Sequence, residues 1–259
     1  MALPAPNPGR GSGRVPPPRA VGSPILEPTG SALVSPVGHP LGSREIAHFW
    51  SVGAGQLDSL GVRAGLWQSW GWCGRHTLGF LAVEAAVERG WLFQAAVLYD
   101  ELMQHAARAL APHWLFERAR IEVALEGSGC PACEAGLTRA QTPEGHDADL
   151  VDAGGSLEPL RAFASETRPW WMPWVCGACA GSGAAPACRP HLRAALRSGA
   201  DVDLPAQRAL VGEVARHAEA FAASFSWGRQ GSATPADRAG LIGAAGWCAG
   251  WRAILEWLR

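Results

Sequence analysis

The stretch "VCGACAGSGAAPACRPHL", residues 175–192, packs Cys176, Cys179, Cys188 and His191 into sixteen positions. Its spacing is CxxC-x8-CxxH. A CxxC pair can set two thiolates on one side of a tight turn, each about 2.3 Å from a shared ion. The glycine in "CGAC" relieves backbone crowding there. Cys188 and His191 repeat the two-residue spacing at the start of a helix, "CRPHLRAALRSG", with Cys188 before the first turn and His191 inside it. Unpaired N–H groups at a helix start favour a thiolate. Arg189 and Arg193 stand close enough in sequence to offset the charge of an ion held by three thiolates and a neutral imidazole. The four donors form a complete Cys3His set, which closes all four tetrahedral positions as structural zinc does.

The same spacing recurs upstream. "GWCGRHTLGFL" puts Cys73 and His76 at a helix start, and "GCPACEAG" puts Cys130 and Cys133 on another knuckle. Together they make a second Cys3His set, with two helices between the halves to bring them together. Closing so long a loop is tolerable because its entropy grows only logarithmically with length. The spacing leaves the pairing open: Cys130 and Cys133 can instead join Cys188 and His191, leaving Cys176 and Cys179 for Cys73 and His76. A redox dithiol is a rival reading, but a thioredoxin-like motif needs a βαβ setting that is missing. An iron–sulfur cluster is another, with Cys3His a less usual ligand set for it. Zinc is the cofactor expected. The seventh cysteine, Cys248 in "GWCAGW", reads as a buried core thiol. His48, His105, His113 and His217 read as ordinary helix residues, and His146 as solvated.

Around these motifs the pattern is helical. "WLFQAAVLYDELMQHAARAL" has Leu92, Ala95, Leu98, Tyr99, Leu102 and Met103 on one wide face. "REIAHFWSVGAGQLDSL", "HTLGFLAVEAAVERG", "HWLFERARIEVALEG", "SLEPLRAFASE", "HLRAALRSG" and "LPAQRALVGEVARHAEAFAASFSW" read as further helices. "TPADRAGLIGAAGWCAGWRAILEWLR" opens with Thr234, Pro235 and Asp237, a helix-start signature. Clean alternation of apolar and polar residues is nearly absent. The expected fold class is all-α, a helical bundle with one or two small irregular zinc-knuckle loops. Residues 1–43 read as a Pro/Gly-rich disordered tail. Residues 44–133 form a helical region with the CxxH and CPxC motifs, 134–156 an acidic linker, and 157–259 the knuckle and C-terminal helices.

Composition narrows the function classes. The chain has 259 residues and a formal net charge of −1, so nothing draws it in bulk to nucleic acid or anionic membrane. All 22 basic residues are arginine, which suits a GC-rich, bacterial coding sequence. The seven cysteines fall mostly in close pairs, an argument for metal ligation in a reducing compartment and hence a cytoplasmic location. The first residues lack the apolar core of a secretory signal. The most apolar run, "LIGAAGWCAGWRAILEWL", is interrupted by Arg252 and Glu256 and reads as a buried helix and not a membrane span.

Two resemblances rest on the motifs. "CGACAGSG" resembles one CxxCxGxG repeat of the zinc region in DnaJ-type co-chaperones. That likeness covers eight residues, those proteins carry four repeats, and no "HPD" occurs here. More broadly, "GWCGRHTLGF", "CPACEAG" and the ending "SFSWGRQGSATPADRAGLIGAAGWCAGWRAIL" resemble uncharacterised bacterial proteins, of actinobacterial type, in which CPxC and CxxH motifs recur between helices. This resemblance spans residues 39–259 loosely and implies metal binding with no assigned activity. It departs at "HPLG", residues 39–42, where an opening CPxC is expected; the comparison implies a lost ligand pair, or His39 surviving as a single ligand.

The residues therefore point to a zinc-binding helical protein with structural sites, acting as an interaction or scaffold protein with protein partners. Thirteen tryptophans favour large buried contacts or partner surfaces. Trp170, Trp171 and Trp174, beside the knuckle, read as a hydrophobic shell over the metal loop, or else as a docking patch. Two alternatives stay open. A nucleic-acid-binding regulator would use Arg189, Arg193 and Arg197, four apart on one helix face. A metal-dependent enzyme would need an open coordination position, and neither HExxH, GxSxG nor a P-loop occurs. An enzyme is thus the less favoured reading, no catalytic residue is singled out, and the oligomeric state is unassigned.

Overall fold

A computed structural model describes residues 41–87, 92–137, 153–183 and 186–257. These contain twelve α-helices and no strand. In chain order they are α1 (Ser43–Gly53), α2 (Leu60–Ser69), α3 (Gly74–Val87), α4 (Phe93–Ala109), α5 (Glu117–Ala124), α6 (Pro131–Glu134), α7 (Glu158–Trp171), α8 (Gly177–Ala180), α9 (Arg189–Arg197), α10 (Leu204–Ala223), α11 (Pro235–Ala249) and α12 (Arg252–Trp257). Two 3-10 turns, Gln56–Asp58 and Met172–Trp174, join them. The all-α expectation holds. Residues 1–40, and with them His39, lie outside the described residues, as do 138–152 of the acidic stretch and its His146.

Two helices are apolar all round and form the centre. Every residue of α3 from His76 to Ala85 is buried, and so is every residue of α11 from Ala239 to Cys248. A helix with no polar face must be enclosed on all sides. α4, α10 and α7 enclose α11, while α1, α7 and α12 pack against α3. Helices from before and after residues 134–156 thus meet in one core.

Local sequence sets the helix starts. Thr234 and Asp237 make a reciprocal capping box at the start of α11: Thr234 Oγ1 accepts from Asp237 N–H at 3.2 Å, and Asp237 Oδ2 accepts from Thr234 N–H at 3.0 Å. Asp203 caps α10 through Ala206 N–H at 2.9 Å. α4 is capped from elsewhere. The buried carboxylate of Glu84, on α3, accepts from the N–H groups of Gln94 and Ala95 at 2.5 and 2.8 Å.

Several boundaries differ from those the pattern suggests. The C-terminal apolar run is not one helix: Gly250, at φ +91°, ends α11, and Trp251 turns the chain into α12. α7 continues past "FASE" to Trp171 with Pro169 inside it. Trp171 and Trp174 are buried, whereas Trp170 is half-exposed. "LGVRAGLWQS" forms α2, which shows no strong amphipathic period and so escapes a reading based on period. No helix among the described residues is long and apolar enough to cross a membrane.

Close approach to α11 depends on its glycines. A Cβ at Gly240 would lie 2.5 Å from the backbone nitrogen of Ala218, on α10. Backbone cannot rotate away as a side chain can, so Gly240→Ala should destabilise the fold by about 1–3 kcal/mol. Gly212, exposed within α10, faces open space. There Ala should add about 0.5–1 kcal/mol through helix propensity. Urea unfolding midpoints of the two variants, read on chains of equal metal content, should move in opposite directions.

Candidate metal centres

All four two-residue pairs share one local construction. Cys130, Cys176 and Cys188 each occupy the N-cap of a helix, α6, α8 and α9 respectively. Cys73 directly precedes α3, with Thr77 N–H donating to its carbonyl at 2.8 Å. The second donor of each pair then falls in the same first helical turn. A helix start presents N–H groups that have no intrahelical acceptor, and their partial positive charge favours a thiolate beside them. The backbone N–H groups of Cys73 and Cys133 help to lower Cys130. Those of Cys179 and Cys188 help to lower Cys176, and that of Trp251 acts in the same direction on Cys179.

The chain brings these pairs together as two sets: Cys73, His76, Cys130 and Cys133, and Cys176, Cys179, Cys188 and His191. Within each set the donor atoms all lie within 4.8 Å of one another. Of the two pairings the spacing left open, the geometry selects the one in which each set uses neighbouring motifs. In the N-terminal set, His76 Nδ1 lies 3.4 Å from Cys73 Sγ, 3.4 Å from Cys130 Sγ and 3.3 Å from Cys133 Sγ, with 3.9 Å between Cys73 and Cys133. In the C-terminal set, His191 Nδ1 lies 3.4, 3.4 and 3.2 Å from Cys176, Cys179 and Cys188, with 3.8 Å between Cys179 and Cys188. A tetrahedral ion with sulfur at about 2.3 Å and nitrogen at about 2.0–2.1 Å requires S···S edges near ~3.8 Å and S···N edges near ~3.6 Å. The S···S distances match, the S···N distances are a few tenths of an ångström short, and each set is compact enough to hold one ion.

Left to protons alone, the sulfurs of each set divide. A hydrogen bond from Cys73 brings Cys130 down to about 3, and bonds from Cys179 and Cys188 bring Cys176 well below an ordinary thiol. The same bonds push Cys73, Cys179 and Cys188 up. Like charges this close cannot all persist, and a divalent cation lifts that limit by drawing every sulfur to its thiolate form.

The N-terminal set has a support that its spacing does not announce. His76 is buried, and its Nε2 faces Oε1 of Glu45, on α1, at 3.2 Å. The Glu45 carboxylate is itself fully buried. It accepts from Arg75 Nε and Nη2 at 3.0 and 2.8 Å and from Gly42 N–H at 2.7 Å. Burial pushes this carboxyl up, but the contacts with His76, Arg75 and Gly42 outweigh burial and bring it down to about 2. An anion facing Nε2 keeps the proton on that nitrogen and leaves Nδ1 free to ligate. His191, by contrast, is exposed.

The other singled-out residues fall elsewhere. Cys248 is buried in the core, its thiol pushed up to about 12 by burial. His105 lies against Trp70 with ring centroids 4.5 Å apart, and His217 Nδ1 is 2.8 Å from Asp237 Oδ1. Arg193 and Arg197 turn to α5. Arg193 pairs with Glu122 and Glu126, and Arg197 Nε meets Glu122 at 3.2 Å. Arg189 donates to main-chain carbonyls. Trp171 stacks on Trp251 at 5.6 Å, and the main-chain N–H of Trp251 favours the Cys179 thiolate.

No protein-family model matches the chain, and neither a curated protein nor a solved structure does.

A carboxylate behind a ligating histidine commonly contributes 10–100-fold in metal affinity. Glu45→Gln should weaken zinc binding at the N-terminal set by about that factor and leave the C-terminal set unchanged. Chelator competition on the intact chain resolves the two.

Proposed function

We propose that the chain is a zinc-binding helical protein with two structural Cys3His centres, acting as an interaction or scaffold protein in a reducing, cytoplasmic setting. The observation that carries this reading is the gathering of each donor set within 4.8 Å, with one imidazole nitrogen 3.2–3.4 Å from all three sulfurs. The residues that would hold zinc are Cys73, His76, Cys130 and Cys133 at one centre and Cys176, Cys179, Cys188 and His191 at the other. Bound there, zinc supplies cross-links between helix starts. Zinc suits the sets better than an iron–sulfur cluster, whose bridging irons and sulfides would hold the four donors further apart. Four protein donors also leave no coordination position for water or substrate, which argues for structure over catalysis.

The interaction role draws on the surface. Trp114 and Phe116, two positions apart in the α4–α5 connection, are 86% and 78% exposed, and Trp227 is 96% exposed. Large aromatics so displayed are the usual anchors of protein contacts. The nucleic-acid reading has less support, because the arginine stripe of α9 is occupied by Glu122, Glu126 and main-chain carbonyls.

Purified protein should carry two zinc ions per chain by elemental analysis. Cys179→Ser should lose one of them together with part of its helical circular dichroism. A variant that keeps its helicity and thermal midpoint while losing zinc would contradict a structural role.

A further inference from the structure

The lead-in segments of the N-terminal centre are clamped by a residue of the C-terminal motif. Arg189 follows the donor Cys188 directly and sits in the first turn of α9. Its side chain leaves its own centre. Nη1 donates to the carbonyl of Leu125 at 3.0 Å, five residues before Cys130, and Nε donates to the carbonyl of Cys248, on α11, at 3.0 Å. The guanidinium lies over the Trp70 ring at 5.6 Å, three residues before Cys73. One side chain therefore touches both approaches to the N-terminal centre.

The contact is tight. Trp70 is buried in a left-handed conformation, φ 60°, and its Nε1 donates to the carbonyl of Glu126 at 2.9 Å. Ser128 N–H donates to the carbonyl of Gln68 at 3.0 Å. Between them, Gly127 has no room for a side chain: a Cβ would lie 3.1 Å from Trp70 Cδ1, 3.3 Å from Arg189 Nη1 and 3.4 Å from the carbonyl of Ser69. A left-handed tryptophan is strained and persists only where its surroundings hold it. Arg189 is one of those surroundings, and its place depends on the α9 start that Cys188 and His191 anchor.

We propose that Arg189 is a positioning residue for the N-terminal centre, so that metal loading of the C-terminal set and assembly of the N-terminal set are thermodynamically coupled. The inference rests on both sets taking up zinc. A planar fork is required, since two carbonyls in different directions and a ring face are engaged at once; an ammonium cannot serve all three.

Zinc titration of the full chain against a chromophoric chelator tests this, with each step assigned by single-centre variants. In Cys179→Ser the N-terminal set should bind zinc between about 5- and 150-fold more weakly, the range usual for coupled sites. Cys133→Ser should weaken the C-terminal set by the same factor, because linkage is reciprocal. A purely local defect would not be reciprocal. Arg189→Lys keeps all eight donors and the charge; it should weaken the N-terminal set in the same range and make Cys179→Ser no worse when combined. If Cys179→Ser does not fold, Arg189→Lys decides alone: wild-type affinity at the N-terminal set would overturn the coupling. Two zinc ions bound with affinities indifferent to the other centre would overturn the coupling while leaving the metal reading intact. A wild-type chain that takes up no zinc would end both.

Discussion

The structure depends on holding three sulfurs and an imidazole within a few ångströms of each other, twice. Two thiolates at the 3.8–3.9 Å found between neighbouring sulfurs repel by roughly 4 kcal/mol at an effective dielectric near 20. Three such charges in one cluster would be untenable for a small domain whose whole stability is of order 5–15 kcal/mol. A divalent cation turns that repulsion into attraction. On this account the ion is part of the folding energy, as it is wherever ligands are gathered from separate helices.

The helices meet this demand with one device used four times. A cysteine stands at or just before a helix start and the second donor falls in the first turn. The pairs are then brought into contact by the core. α3, which starts at one pair, is buried along most of its length and packs on α1 and α7, while α5, which precedes the next pair at α6, packs on α9. Metal centres and apolar core are therefore not separate sources of order. Trp70, Trp251 and Arg189 belong to both, each touching a lead-in or a sulfur while lying in or against the core.

Much of this was legible in the residues. The spacing of Cys73/His76, Cys130/Cys133, Cys176/Cys179 and Cys188/His191 marks each pair, apolar periodicity marks α4 and α10, and continuous apolar runs mark α3 and α11. Three features were not legible, for physical reasons. The partnering of Cys130 and Cys133 is set by how α4 and α5 fold back, a tertiary matter that spacing does not encode. Glu45 carries no signal, since a single glutamate near a helix start usually serves only the helix; its role appears when α1 packs on α3 and buries it against His76. The arginines of α9 look like a free basic face because their partners Glu122, Glu126 and Leu125 lie more than sixty residues away.

The most direct test of the account is zinc K-edge X-ray absorption on the purified, unreconstituted protein. Two closed Cys3His centres predict an average nearest-neighbour shell of about three sulfurs near 2.3 Å and one nitrogen near 2.0–2.1 Å per zinc. A shell containing water oxygen, fewer than three sulfurs, or a metal–metal distance would contradict it.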